Sequence, residues 1–127
     1  MKPKGESEMA DQNENPVWTL TGKTNVPVSV EAILADGERV LGAYKTIRDA
    51  LVLTDRRLVL YDVEGLMGAS QTIRTIPYRA IESFSIQNKG IGKEGLEILT
   101  RSQTISLKVD RSCDIDEMAK ILAKSCV

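Results

Sequence analysis

The sequence contains no histidine. That removes the commonest general base near neutral pH and the commonest metal ligand. Cysteine occurs only at Cys113 and Cys126, without C-x-x-C spacing, which argues against a zinc site. No metal and no cofactor is expected. The two cysteines lie a helix length apart, so a bond between them would distort a terminus, and free thiols are the expected state. Such thiols fit a reducing cytoplasm. Aromatic residues are only 4%, so a core must be built from aliphatic side chains. No window approaches the roughly 18 apolar residues of a membrane span. The first residues, M-K-P-K-G-E-S-E-M-A, lack the apolar stretch of a signal peptide, and a soluble cytoplasmic protein is expected. An excess of charge is missing too: 17 basic against 18 acidic residues give a formal charge of −1. That balance argues against a nucleic-acid binder, which needs a basic face to displace counterions, and weakens attraction to an anionic membrane.

What is present fits one domain. Residues 1–25 are polar and carry Pro3 and Pro16, so a flexible tail is expected, with the domain at 26–127. Trp18 stands out in that tail, either as an incidental residue or as an anchor for a groove. Ser29 can cap a short helix over V-E-A-I-L-A that stops at Asp36-Gly37. Strand-like runs follow at Val40–Ile47, with Gly42 a candidate bulge, then Ala50–Thr54, Leu58–Val63 and Thr72–Ile76, which Pro77 ends. Ser83–Gln87 and Gln103–Val109 alternate with period two, and Leu96–Thr100 lies between them. The glycine-rich G-I-G-K-E-G before Leu96 joins two strands. It is read as a turn, since a phosphate loop needs a helix after it. Seven short antiparallel strands suggest a sandwich or partly open barrel. In D-I-D-E-M-A-K-I-L-A-K, Asp114 is a good N-cap, and Glu117 completes a capping-box-like pair. Ile115, Met118, Ile121 and Leu122 share one helical face, which docks the helix on the sheet as a plug.

Three stretches resemble the bacterial pleckstrin-homology (PH) domain family: D-G-E-R-V, I-R-D-A-L-V-L-T-D-R-R-L-V-L-Y-D-V-E-G-L-M-G and T-I-P-Y-R-A-I-E-S-F-S-I. The resemblance runs from about residue 28 to the C-terminus. It implies a mainly β, PH-like fold of seven antiparallel strands capped by one C-terminal helix, with a short N-terminal helix. It also implies self-association into ring-like homo-oligomers, and no enzymatic activity.

Phosphoinositide-binding PH domains carry basic residues on the first hairpin. Here that hairpin offers Lys45 and Arg48, but A-L-V-L-T has no basic residue, so the lipid pattern fails. Arg56 and Arg57 follow the second strand run in T-D-R-R. Asp55 can hold that turn with its side chain. The arginines then solvate its tip or pair with acidic neighbours, or alternatively bind an anion or phospholipid together with Lys45. In I-P-Y-R-A-I, Arg79 is read as a brace for the corner that Pro77 fixes. In E-G-L-M-G, Leu66 and Met67 lie between glycines on a loop. They either fold over an open barrel end, fill a pocket on a neighbouring subunit, or, with no basic cluster flanking them in sequence, enter a membrane. No catalytic constellation emerges. The resulting expectation is a non-enzymatic interaction module. Its partner is itself, as a cyclic homo-oligomer with Leu66 and Met67 at the contact, or another protein. The alternative is a peripheral phospholipid or anion binder using Lys45, Arg56 and Arg57.

Overall fold

The computed structural model describes residues 15–88, 90, 94–110 and 113–126. The elements in chain order are β1 (Val17–Leu20), β2 (Gly22–Lys23), α1 (Val28–Glu31), β3 (Val40–Lys45), β4 (Ala50–Thr54), β5 (Arg57–Glu64), β6 (Ser70–Pro77), β7 (Ile81–Asn88), β8 (Glu94–Thr100), β9 (Thr104–Val109) and α2 (Ile115–Ser125). They build a four-stranded sheet in the order β1-β9-β8-β7 and a five-stranded sheet in the order β2-β3-β4-β5-β6. The fold is an open β-sandwich with one C-terminal helix, as the alternation implies.

The seven strands read from the sequence are β3–β9, and every pairing among them is antiparallel. Two more come from residues assigned to a flexible tail. β1 pairs parallel with β9, from Val17 opposite Ser106 to Leu20 opposite Val109, and β2 pairs with β3. The flexible tail therefore does not reach residue 25. Leu20 is fully buried and Trp18 packs half-buried against the main core, so Trp18 is an anchor for its own domain. The expectation of a flexible segment over residues 1–14 concerns residues outside the described ones.

The main core lies between the sheets and is aliphatic, with Leu51, Leu53, Leu58, Leu60, Leu96, Ile98, Ile105 and Leu107 at 1% exposure or less. β4 is buried along its whole length. Leu51 and Leu53 face the main core, whereas Val52 joins Val30, Ala43 and Val59 in a second small cluster. Val26 and Leu34, on either side of α1, pack on that cluster. A strand covered on both faces reads as a continuous apolar run, as A-L-V-L-T does. β3 shifts register between Val40 and Gly42. Gly42 is required by close approach: a Cβ there would sit 2.8 Å from the Tyr44 hydroxyl oxygen.

α1 departs from the sequence reading in its cap, and α2 in the role of Glu117. α1 begins two residues earlier than expected, with Pro27 in the N-cap position and no side-chain cap, so Ser29 lies inside it. The Pro27 carbonyl accepts from the Val30 and Glu31 amides instead. In α2, Asp114 caps as expected, accepting from the Asp116 and Glu117 amides at 3.0 and 3.2 Å. Glu117 does not close a capping box. It accepts from the Tyr44 hydroxyl at 2.7 Å and from the Lys23 ammonium at 3.0 Å, clamping the helix to the five-stranded sheet. These bonds, Tyr44's first, hold the Glu117 carboxyl below its usual range. Ile115, Met118 and Leu122 are buried in the main core and Ile121 packs against it, so the helix docks on the face its spacing implies.

Candidate functional site

The turn after β4 is held by Thr54, not by Asp55. The Thr54 hydroxyl accepts from the amides of Arg56 and Arg57, both at 3.0 Å, and donates to Glu38 Oε2 at 2.6 Å. Asp55 faces Arg39 instead, accepting from its amide at 3.1 Å. The two arginines then part company. Arg57 grips Glu38 with two bonds, Nε to Oε2 at 3.0 Å and Nη2 to Oε1 at 2.9 Å, and reaches the Ile33 carbonyl at 2.8 Å. The Glu38 side chain is 1% exposed. The Arg57 bonds, aided by Thr54 and the Ala35 amide, hold its carboxyl at about 2 against a desolvation that pushes upward. Arg57 is thus the brace that ties the segment after α1 to the β4–β5 turn, the acidic pairing that the sequence reading named. Arg56 is exposed, and its guanidinium donates to the Asp36 carbonyl at 3.3 Å. At the following corner Tyr78 does the tying, donating to the Thr54 carbonyl at 2.7 Å, while Arg79 is exposed.

Lys45 is not at this end. It closes β3 opposite Ala50, the first residue of β4, whereas Arg56 lies beyond Thr54, the last. A five-residue strand separates them, about 13 Å at the usual rise. The structure therefore does not bring Lys45, Arg56 and Arg57 into one site.

At the Lys45 end two loops meet. The β5–β6 hairpin stays paired up to Glu64 opposite Ser70, and its tip turns through Gly65, Met67 and Gly68 with φ of 82°, 60° and 68°. Positive φ is natural for glycine, but for methionine it costs on the order of 1–2 kcal/mol. The β3–β4 turn braces this tip. Thr46 Oγ1 accepts from the Arg48 and Asp49 amides, Asp49 accepts from the Val63 amide at 2.9 Å, and Arg48 donates to the Gly65 carbonyl. Leu66 and Met67 are 89% and 101% exposed, so they do not fold over an open end of the sandwich. Ile47, on the turn that Arg48 ties to this tip, is 95% exposed. The sequence reading placed Ile47 in a strand. The signal was Thr46 and Asp49 on either side of I-R, both able to bond backbone in a turn. Burial, then Asp49 and Glu64, raise the Asp62 carboxyl at this same end. This end of the five-stranded sheet thus exposes three large apolar side chains, Ile47, Leu66 and Met67, and two cations, Lys45 and Arg48.

Among the described residues no cluster of three or more Cys, Asp or Glu is arranged to hold a metal ion, and no helix is long and apolar enough to cross a membrane. Cys113 is buried and Cys126 half-buried, both as free thiols that burial pushes up in pKa.

The family model for the bacterial PH domain matches residues 16–126. Two uncharacterised proteins of Bacillus subtilis (strain 168) are similar in sequence. YozO is 35% identical over 98 residues, 75% of this chain and 84% of its own. YjqA is 36% identical over 104 residues, 75% of this chain and 80% of its own. Among solved structures, a DUF1696-family protein with a pleckstrin-homology domain from Shewanella loihica PV-4 superposes with a TM-score of 0.76 at 25% identity, covering 84% of this chain and 97% of that one. A pleckstrin homology domain from Shewanella amazonensis SB2B gives 0.63 at 29% identity, covering 78% and 83%. The motifs quoted from the sequence, the two-sheet fold with its C-terminal helix and these matches agree: the chain belongs to the bacterial PH domain family.

Proposed function

We propose that the protein is a non-enzymatic interaction module that assembles with copies of itself into a closed ring, with Leu66 and Met67 at the contact between subunits. The exposure of the apolar tip carries this reading. Two large aliphatic side chains stand in solvent on a loop whose backbone is strained at Met67 and fixed by Arg48. An isolated subunit gains nothing from that arrangement, whereas a neighbour's surface would bury it. Burial of both side chains contributes roughly 3–6 kcal/mol per contact before the costs of association. The long outer strands add a second motive. β6 and β7 are eight residues each and stand at the ends of their sheets, where a neighbour can cover them.

The double substitution Leu66→Ser and Met67→Ser is the test. Assembly weakens by at least a hundredfold in light scattering after size exclusion, while circular dichroism shows each subunit folded. A wild-type assembly of unchanged mass in the double variant would reject this loop as the contact. The rival reading, a phospholipid or anion binder, draws support from Lys45 and Arg48 beside the tip, but Arg57 is committed to Glu38. Binding to phosphoinositide vesicles is therefore expected at background. Salt-sensitive binding lost on changing Lys45 and Arg48 to Gln would favour the rival.

A further inference from the structure

Sulfur is shielded unevenly in this fold. Met118 is fully buried, Cys113 is buried and Cys126 is half-buried. Met67 is 101% exposed, and it and Met118 are the methionines among the described residues. The turn keeps Met67 in solvent. The Gly68 amide donates to the Gly65 carbonyl at 3.3 Å and the Ala69 amide to the Leu66 carbonyl at 3.1 Å. Arg48 donates to the same Gly65 carbonyl from the neighbouring turn. The tip is therefore closed on itself, with Met67 at its centre in the left-handed region, φ 60°. Oxidants reach these sulfurs by different rules. A thiol reacts as its thiolate, and burial pushes both thiols up in pKa, which suppresses that form. A thioether has no proton to lose, so access governs its oxidation.

We infer that Met67 is a reversible oxidation site through which hydroperoxides weaken self-association. The inference rests on the self-association proposed above and adds how it is regulated. In the forward step a lone pair of the Met67 sulfur attacks the terminal oxygen of the hydroperoxide. The O–O bond breaks as the S–O bond forms, and the proton of that oxygen passes to the departing one, which leaves as water or an alcohol. Sulfur loses two electrons and the peroxide gains them. A dithiol reductase reverses the step: it supplies two electrons, forms a disulfide and releases the oxygen as water. The sulfoxide replaces a flexible apolar side chain with a polar acceptor. Covering that acceptor at a contact without a donor opposes association, so assembly weakens by at least about tenfold. Contact and oxidation compete for the same side chain. The unassembled subunit is the reactive form, and assembly protects Met67.

Hydrogen peroxide is the probe, with peptide mass spectrometry to locate the sulfoxide and light scattering after size exclusion to follow assembly. In dilute wild-type protein Met67 is oxidised at least about tenfold faster than Met118, and raising the protein concentration slows it. The oxidised protein assembles at least about tenfold more weakly with an unchanged circular dichroism spectrum, and a methionine sulfoxide reductase with dithiothreitol restores the mass. Met67→Leu keeps the apolar contact, so it assembles and ignores peroxide, which separates Met67 from Met1 and Met9. Met67→Gln, with a polar side chain of similar length, assembles weakly without any oxidant. A multimer of unchanged mass with Met67 fully oxidised, or a Met67→Leu multimer that peroxide still dissociates, would overturn the switch and leave self-association standing. Oxidation of Met67 no faster than that of Met118 would overturn the site. A wild-type monomer at every concentration would overturn self-association itself, and the switch with it.

Discussion

Removing residues 1–24 should lower the melting temperature by about 15 °C or more. The deletion takes away β1, with its four pairings along β9, and with it the fully buried Leu20 and the half-buried Trp18. Leu20→Ala alone removes a buried leucine from a packed core, which costs about 2–5 kcal/mol. In a domain of this size each kcal/mol is worth about 4 °C. The single variant is thus expected to melt roughly 8–20 °C lower, and the truncation at least as far. In the full chain and in Leu20→Ala, Trp18, the one tryptophan, reports the transition by fluorescence, since unfolding exposes its ring; the truncated protein, which lacks it, is followed by circular dichroism. A truncated protein melting within about 3 °C of the full chain would show that β1 contributes nothing to the fold.

Arg57→Gln should destabilise strongly, and Arg56→Gln should not. The first leaves a Glu38 carboxylate that is 1% exposed without its cation, and an uncompensated buried charge costs about 3–5 kcal/mol. The expected fall in melting temperature is about 12–20 °C, against less than 3 °C for Arg56→Gln. Acid gives an independent reading of the same brace. The Glu38 carboxyl sits at about 2 in the fold, below its ordinary 4.5, so the fold binds the ionised form more tightly. The stability that follows is fully present above about pH 4.5 and drains away as pH falls toward 2, amounting to about 3 kcal/mol. Glu38→Gln is less stable at neutral pH and loses less on acidification. Glu117 titrates downward too, so the difference between wild type and variant is the quantity to follow. Equal melting temperatures for the two arginine variants would refute the assignment of Arg57 as the brace.

The fold was legible wherever local pattern carried it. Period-two alternation in Thr104–Val109, the unbroken A-L-V-L-T and the Asp114 cap each encode a local environment, whereas in β7 only Phe84 of the alternating pair is covered and Ile86 is exposed. β1 was hidden because it is four residues long within a polar segment, and its partner β9 lies nearly the whole domain away. Its trace was the spacing of Trp18 and Leu20, two apart on one strand face. Arg56 and Arg57 look equivalent in sequence. Only the approach of Glu38, 19 residues before Arg57, separates a brace from a surface residue. The tip was half visible. E-G-L-M-G marked Leu66 and Met67, but Ile47 and Arg48 come from another turn, brought alongside by β-sheet register rather than by any spacing in the chain.

The most direct test of self-association is the molar mass of the wild-type protein in solution, measured by light scattering after size exclusion at tens of micromolar. The result predicted is a single species at a whole multiple of 14.0 kDa greater than two, as a closed ring requires. A mass of 14.0 kDa at those concentrations would contradict it.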